Sequence, residues 1–163
     1  MSETYLPLGI DISKETFHVA LLKGEKACKY RQFTNNAEGF TQLSQWLKQQ
    51  GVEQVHGCLE ATSIYGHALA IHLHQQGHHV SIVNPMRIKG YAKSQLARTK
   101  CDRADAKLIA HFCRDLKPAL WQPSEAEVMT LQAYTRRLDA LEQMLTQEKK
   151  SPAHHPGGIA SGY

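Results

Sequence analysis

Four acidic residues lie at positions in the sequence where a charged carboxylate suggests a functional role. Asp102 and Asp105 are three residues apart in ARTKCDRADAKLIA (97–110), a spacing that places both side chains on one face of a helix. Asp11 lies inside the apolar run YLPLGIDI (5–12), and Glu60 ends the run VHGCLE (55–60). A charged carboxylate in or beside an apolar strand is costly unless it is paired or bound to a cation.

Four such carboxylates, brought together, have the chemistry of a two-metal site with magnesium ions about 3.5–4 Å apart. Magnesium prefers hard oxygen ligands and retains waters, so it suits carboxylates and phosphate. One ion activates the attacking group, and the other stabilises the leaving oxygen in phosphoryl transfer. The alternative for the helical pair is a solvated charge ladder, in which each aspartate pairs with a neighbouring cation such as Lys100 or Lys107.

The positive charge of the chain is concentrated beside the helical pair. Residues 87–107 carry seven cations and two anions, which gives +5, whereas the other residues carry twelve cations and thirteen anions, which gives −1. Such a segment indicates either a polyanionic partner, most commonly nucleic acid, or a merely solvated basic helix. The candidate nucleic-acid-binding residues are Arg87, Lys89, Lys93, Arg98, Lys100, Arg103 and Lys107.

The elements that must position these residues can be read from hydrophobic periodicity. Runs at 5–12, 16–22 and 27–33 predict an antiparallel meander of three strands. A helix from an Asn36 cap to Gly51 follows, then a strand at 55–60, a helix at 65–76, a strand at 79–83 and one or two basic helices to about residue 115. This order predicts an α/β, ribonuclease-H-like (RuvC-like) mixed sheet flanked by helices, with a long C-terminal helix.

The predicted domain organisation has three parts. Residues 1–117 form the RuvC-like domain, 118–150 a linker and long helix, and 151–163 a disordered tail rich in glycine and proline. Ser124 and Glu127 predict a capping box for the long helix. Its apolar seam at Leu131, Tyr134, Leu138, Leu141 and Leu145 indicates either a short coiled coil or packing against its own domain.

Several classes of protein are excluded by the composition. No window approaches 18 uninterrupted apolar residues, and the N-terminus lacks the features of a secretory signal. The four cysteines form no CxxC pair, so we expect reduced thiols in a cytoplasmic protein. The histidine-rich stretch 67–79 has no coherent zinc-ligand spacing. No glycine-rich phosphate-binding motif is present.

The chain resembles a known family. The segments LGIDISKETFHVALL, CLEATSIYGHALAIHLHQQGHHVSIVNPMRIKGYAKS and RTKCDRADAKLIAHF resemble the N-terminal RuvC-like domain of DEDD transposases of the Piv-related insertion-sequence class, the IS110 family, which includes bridge-RNA-guided recombinases. The likeness covers about residues 5–148. It implies that Asp11, Glu60, Asp102 and Asp105 bind magnesium, or manganese in its place, and catalyse DNA strand cleavage and exchange. DNA and a guide RNA are the implied partners.

The resemblance also has a limit. Family members carry a C-terminal domain that supplies a serine nucleophile, whereas this sequence ends at Tyr163 with a tail unlike the family's continuation. We therefore expect a truncated or frame-shifted product that is inactive in full recombination. Two alternatives are a non-catalytic module that binds nucleic acid or forms a homo-oligomer through residues 124–148, and a structure-specific nuclease similar to Holliday-junction resolvases.

Overall fold

The computed structural model follows the predicted alternation of strands and helices. It describes residues 5–25, 27–61, 64–95 and 102–151, and for residues 102–104 it describes the backbone. The strands are β1 (Leu6–Ile12), β2 (Thr16–Leu22), β3 (Cys28–Thr34), β4 (Val55–Glu60) and β5 (His79–Val83). The helices are α1 (Ala37–Gln49), α2 (His67–Gln75), α3 (Pro85–Ser94), α4 (Asp102–Leu116) and α5 (Glu125–Lys150), and a short 3-10 turn (Ile64–Gly66) precedes α2.

The five strands form one mixed sheet in the order β3-β2-β1-β4-β5. The first three strands are an antiparallel meander, whereas β4 pairs in parallel with β1 and β5 in parallel with β4. The parallel strands need crossover connections, and α2 supplies the one between β4 and β5. This topology is the predicted ribonuclease-H-like plan, so the fold class is confirmed.

One face of the sheet carries the larger part of the core. Leu8 and Ile10 of β1 are buried there, together with the apolar stripe of α1. The Asn36 side chain accepts a hydrogen bond from the backbone N–H of Gly39 and so caps α1 as predicted. Because strand residues alternate between faces, Gly9 and Asp11 belong to the opposite face.

Helix α4 covers that opposite face at very short range. A Cβ on Gly9 would lie 1.9 Å from the backbone oxygen of Ala106 and 2.4 Å from the backbone nitrogen of Ala110. Glycine therefore permits the helix backbone to rest directly on β1. Farther along α4, the thiol of Cys113 donates to the carbonyl of His56, which lies near the start of β4. Helix α4 thus runs antiparallel to β1 and β4, and its first turn lies at their carboxyl ends.

Residues 1–123 and 124–163 form two separate units. In the second unit the predicted capping box is present: Ser124 Oγ accepts from the N–H of Glu127, and the Glu127 carboxylate accepts from the N–H of Ser124. Helix α5 has no buried residue, and Tyr134 and Leu138 are 64% and 61% exposed. The tail predicted at 151–163 lies, beyond Ser151, outside the described residues. Among the helices of the described ranges, none has the length and apolar character that crossing a membrane requires.

Candidate metal centre and nucleic-acid interface

Asp11 and Glu60 lie side by side at the carboxyl edge of the sheet. In the parallel β1–β4 ladder Ile10 pairs with Leu59, and each acid is the next residue of its strand. Both acids are half-buried. Both belong to the face that α4 covers, because the residues two positions earlier contact that helix: Gly9 as described above, and Cys58 in a cluster with residues of α4.

The first turn of α4 brings the helical acids to the same edge. Asp105 immediately precedes Ala106, whose backbone oxygen rests on Gly9, and its side chain is exposed to solvent. Asp102 is the first residue of α4 and lies about one helical turn before Ala106. The backbone therefore places all four predicted acids at one end of the β1–β4–α4 sandwich, although they come from three distant segments of the sequence.

The electrostatics of Glu60 show that two of the other predicted carboxylates act on it. Burial raises the pKa of Glu60, and the negative charges of Asp11 and Asp105 raise this pKa further, whereas the ammonium of Lys89 lowers it. Coulomb energies fall with distance, so the three carboxylates and the ammonium form one cluster, which we call the acidic cluster. Like charges held together repel, and a divalent cation with oxygen ligands relieves that repulsion. The residues present therefore fit a hard divalent cation.

The side chains of the acidic cluster lie farther apart than the ligands of a complete metal coordination shell. Across residues 5–25, 27–61, 64–95 and 105–151, no three histidine, cysteine or acidic side chains are close enough together to hold a metal ion. The side chain of Asp102, the fourth predicted ligand, lies outside that set. Since Mg²⁺ usually keeps several waters and takes only one or two carboxylates, an open arrangement of this kind suits it.

The charge-ladder alternative finds little support at Asp105. In the described part of the chain, no ion pair links Asp105 to Lys107. An ion pair at the far end of α4 joins Arg114 to Asp115, with 2.9 Å between Nε and Oδ1. The charge of Asp105 acts instead on Glu60. Its position thus favours a role in the acidic cluster.

The predicted basic residues separate into three groups. On α3, which starts at the same edge of the sheet, Lys89 acts on Glu60 and Lys93 is exposed, as is Lys107 on α4. The guanidinium carbon of Arg87 lies 5.5 Å from the ring centroid of Phe112, so this cation packs against α4. Arg98 and Lys100 lie outside the described residues, and Arg103 belongs to the first turn of α4. Lys89 therefore lies at the acidic cluster, whereas Lys93 and Lys107 are exposed on the two helices that border it and Arg87 is packed against α4.

Sequence reasoning missed His18 as a neighbour of the cluster. His18 is directly opposite Asp11 in the antiparallel β1–β2 pair, so both side chains leave the same face of the sheet. The imidazole is half-buried. The register of the short β1–β2 connection carried this information, because a tight hairpin fixes which residues face each other. The sequence pattern alone had marked His18 only as part of a strand.

The fold and the site together define a class of domains: a ribonuclease-H-like sheet with carboxylates at the carboxyl ends of two adjacent strands, β1 and β4. The particular family follows from sequence comparison: residues 8–154 match the family model of the IS110-type DEDD transposases, described as a transposase. The chain belongs to this family, as the sequence motifs predicted.

Two relatives and one solved structure illustrate the similarity. The pilin gene-inverting proteins of Moraxella bovis and Moraxella lacunata are each 36% identical to this chain over 151 residues, which are 91% of this chain and 46% of the relative. The chain thus spans less than half the length of these relatives. The structure of Thermus thermophilus RuvC is similar over 71% of this chain and 98% of its own, with 16% identity and a TM-score of 0.48.

Proposed function

We propose that this chain is a magnesium-dependent catalytic domain for DNA strand cleavage and exchange in the transposition of an insertion sequence. The observation that carries the proposal is the acidic cluster, in which Asp11, Glu60 and Asp105 converge from β1, β4 and α4. The names of the two Moraxella relatives add support, because inverting a gene requires DNA strands to be cut and rejoined. Manganese is the proposed substitute ion.

Each part of the cluster has a role in this proposal. Asp11 and Glu60 hold the cation from the rigid sheet, and Asp105 and Asp102 hold it from α4. A bound divalent cation supplies Lewis-acid activation of the phosphoryl group. Lys89 and the neighbouring cations offset the charge of the incoming phosphate.

Metal binding is the direct test. Titration calorimetry with MgCl₂ and MnCl₂ should detect binding to the wild-type chain and a large loss for Asp11→Asn and Glu60→Gln, while thermal unfolding shows that both variants stay folded. Glu53→Gln is the matched control, because Glu53 is an exposed acid just before β4, at the other end of that strand. A wild-type chain that binds neither ion, or equal binding by Asp11→Asn, would refute the proposed site.

Nucleic-acid binding is tested through its salt dependence. Replacing Lys93 or Lys107 with Gln should weaken binding to duplex DNA. The logarithm of the binding constant falls linearly with the logarithm of the salt concentration, and this slope should become less steep by about 0.9 for each phosphate that the variant no longer neutralises. A slope unchanged in both variants would contradict a phosphate-binding role. Family membership also supports a guide RNA, and a preference for a structured RNA from the insertion sequence over a scrambled RNA of equal length would test it.

A second role, in assembly, is favoured by helix α5. None of its residues is buried, and its apolar stripe of Leu131, Tyr134, Leu138, Leu141 and Leu145 recurs at spacings of three and four. We propose that two copies of the chain pair through this stripe, as in a short coiled coil. Sedimentation equilibrium should give twice the chain mass for the wild type and the monomer mass for Leu138→Glu. Glu142→Gln, on the same helix but outside the stripe, should still pair, and a monomeric wild type would exclude the assembly.

A further inference from the structure

A cavity opens beside the acidic cluster at the carboxyl edge of β4 and β5. Its volume is about 300 Å³, and its lining includes Leu59, Glu60, Ile64, His67 and Ile82. Pockets that hold small ligands begin at about this size and combine apolar walls with a few polar groups. The lining matches that description, because three branched apolar side chains surround one carboxylate-bearing residue and one imidazole.

Two large exposed side chains lie on the turn beside this cavity: Ile64 lines the cavity, and Tyr65 is the next residue of the turn. Ile64 is 81% exposed and Tyr65 is 42% exposed on the short turn Ile64–Gly66. Single exposed apolar residues are ordinary on protein surfaces, but an adjacent pair beside a charged site marks a place where apolar surface is to be covered. We call Ile64 and Tyr65 the apolar step.

The apolar step is held in place by a side chain from a distant loop. The amide nitrogen of Asn35 donates to the carbonyl oxygens of Tyr65 and of Ser13, at 3.0 Å in each case. Ser13 directly follows β1, which carries Asp11, so Asn35 ties the step to the strand that bears a catalytic acid. A step that is rigid before binding loses little entropy when a ligand covers it.

We propose that the apolar step and its cavity receive an unpaired nucleobase of the DNA strand cleaved at the acidic cluster, and that Asn35 is the positioning residue of the step. This inference rests on the proposed function. The divalent cation of the proposed site and Lys89 would hold a phosphate beside the acidic cluster, and the base of the same nucleotide would then lie next to a cavity that Glu60 itself lines. A base has a flat π-face that an aromatic side chain covers, and an already unpaired base pays no unpairing cost.

The test compares two DNAs of equal length and charge, one fully paired and one with two unpaired bases. Binding is measured with the whole chain. We expect the wild type to prefer the unpaired DNA, and Ile64→Ala combined with Tyr65→Ala to bind that DNA about 5- to 100-fold more weakly, with paired-DNA affinity within about twofold. Leu120→Ala is the matched control, since Leu120 is 50% exposed and lies outside the cavity lining. It should change neither affinity.

The role of Asn35 in positioning the apolar step is tested by a separate measurement. Asn35→Asp keeps the size of the side chain but removes both donated hydrogen bonds, so the preference for unpaired DNA should fall even at temperatures far below the melting temperature of the variant. A purely structural role would lower the melting temperature and leave the preference intact. Ile64→Ser is the second variant, because a substitution at an 81% exposed position leaves stability nearly unchanged, and it too should reduce the preference.

The outcomes separate this inference from the function on which it rests. A wild type that binds both DNAs, with a preference that survives the double substitution, overturns the base-binding step alone. Equal losses on paired and unpaired DNA also overturn it, because they indicate a general effect on binding. A wild type with no salt-dependent affinity for either DNA overturns the proposed function and this inference together. Selective loss on unpaired DNA supports both.

Discussion

Replacing Gly9 with alanine should separate α4 from the sheet. The new Cβ would lie 1.9 Å from the oxygen of Ala106 and 2.4 Å from the nitrogen of Ala110. A carbon–oxygen contact needs about 3.3 Å, so the helix must retreat by about 1.4 Å, the difference between those two distances. Both opposing atoms are backbone, so no side chain can turn aside to relieve the clash.

The cost follows from that geometry. Overpacking a core typically costs about 1–3 kcal/mol, part of which is relieved by side-chain movement. That relief is absent for Gly9→Ala, so we expect a loss at the upper end, about 3 kcal/mol or more of the free energy of unfolding. The retreat also carries Asp102 and Asp105 away from Asp11 and Glu60. A displacement of about 1 Å is enough to lower an activity about 100-fold, so magnesium affinity should fall as well.

Urea unfolding and magnesium titration measure the two effects. Gly90→Ala is the matched control: nothing lies within 4 Å of the added Cβ, and alanine in place of glycine within a helix should stabilise α3 by up to about 1 kcal/mol. The reasoning is refuted if Gly9→Ala unfolds within about 0.5 kcal/mol of the wild type and binds magnesium equally well.

Three further outcomes follow from local contacts. Burial lowers the pKa of His72 and of His78 below the ordinary 6.5. As the pH falls, the unfolded chain therefore binds protons at these histidines at a higher pH than the folded chain does. Urea midpoints should therefore be constant above about pH 6.5 and decline below it, and less steeply in His72→Gln. Ser124→Ala should cost α5 about 1 kcal/mol, seen as earlier helix loss in circular dichroism on heating. Tyr91→Phe removes the hydrogen bond to Asp115, which should cost about 1 kcal/mol of the free energy of unfolding. Burial and that hydrogen bond raise the pKa of the Tyr91 phenol to about 12, so an absorbance titration at alkaline pH should show one phenol fewer at that pH in the variant.

Much of the secondary structure could be predicted from the sequence, because residues with strong conformational preferences mark the ends of its helices and strands. Asn36 caps α1 and Gly51 follows its end, each as the sequence indicated. The strand at 16–22 is β2, and the strand at 79–83 is β5, with the predicted bounds. The helix predicted at 65–76 is shorter, since a 3-10 turn occupies Ile64–Gly66 before α2 begins at His67.

The geometry of the candidate site was less predictable, because it depends on contacts between distant segments. Nothing in the sequence near Gly9 shows that a helix almost 100 residues later rests its backbone there. The influence of Lys89 on Glu60 depends equally on how α3 leaves β5. Charge counting found the basic segment as a whole, but only the fold separates Arg87, packed on Phe112, from Lys89 at the acidic cluster.

The acidic cluster and the docking of α4 are energetically coupled. Asp11 and Asp105 each repel Glu60. The apolar contacts of α4, among them the fully buried Phe112 and Ala110, must therefore hold together elements that these charges push apart. A cation that binds only the folded chain adds RT ln(1 + [L]/Kd), about 2.7 kcal/mol at one hundred times Kd. Metal binding should therefore tighten the contact between helix and sheet, and through it fix the very geometry on which the cluster's chemistry depends.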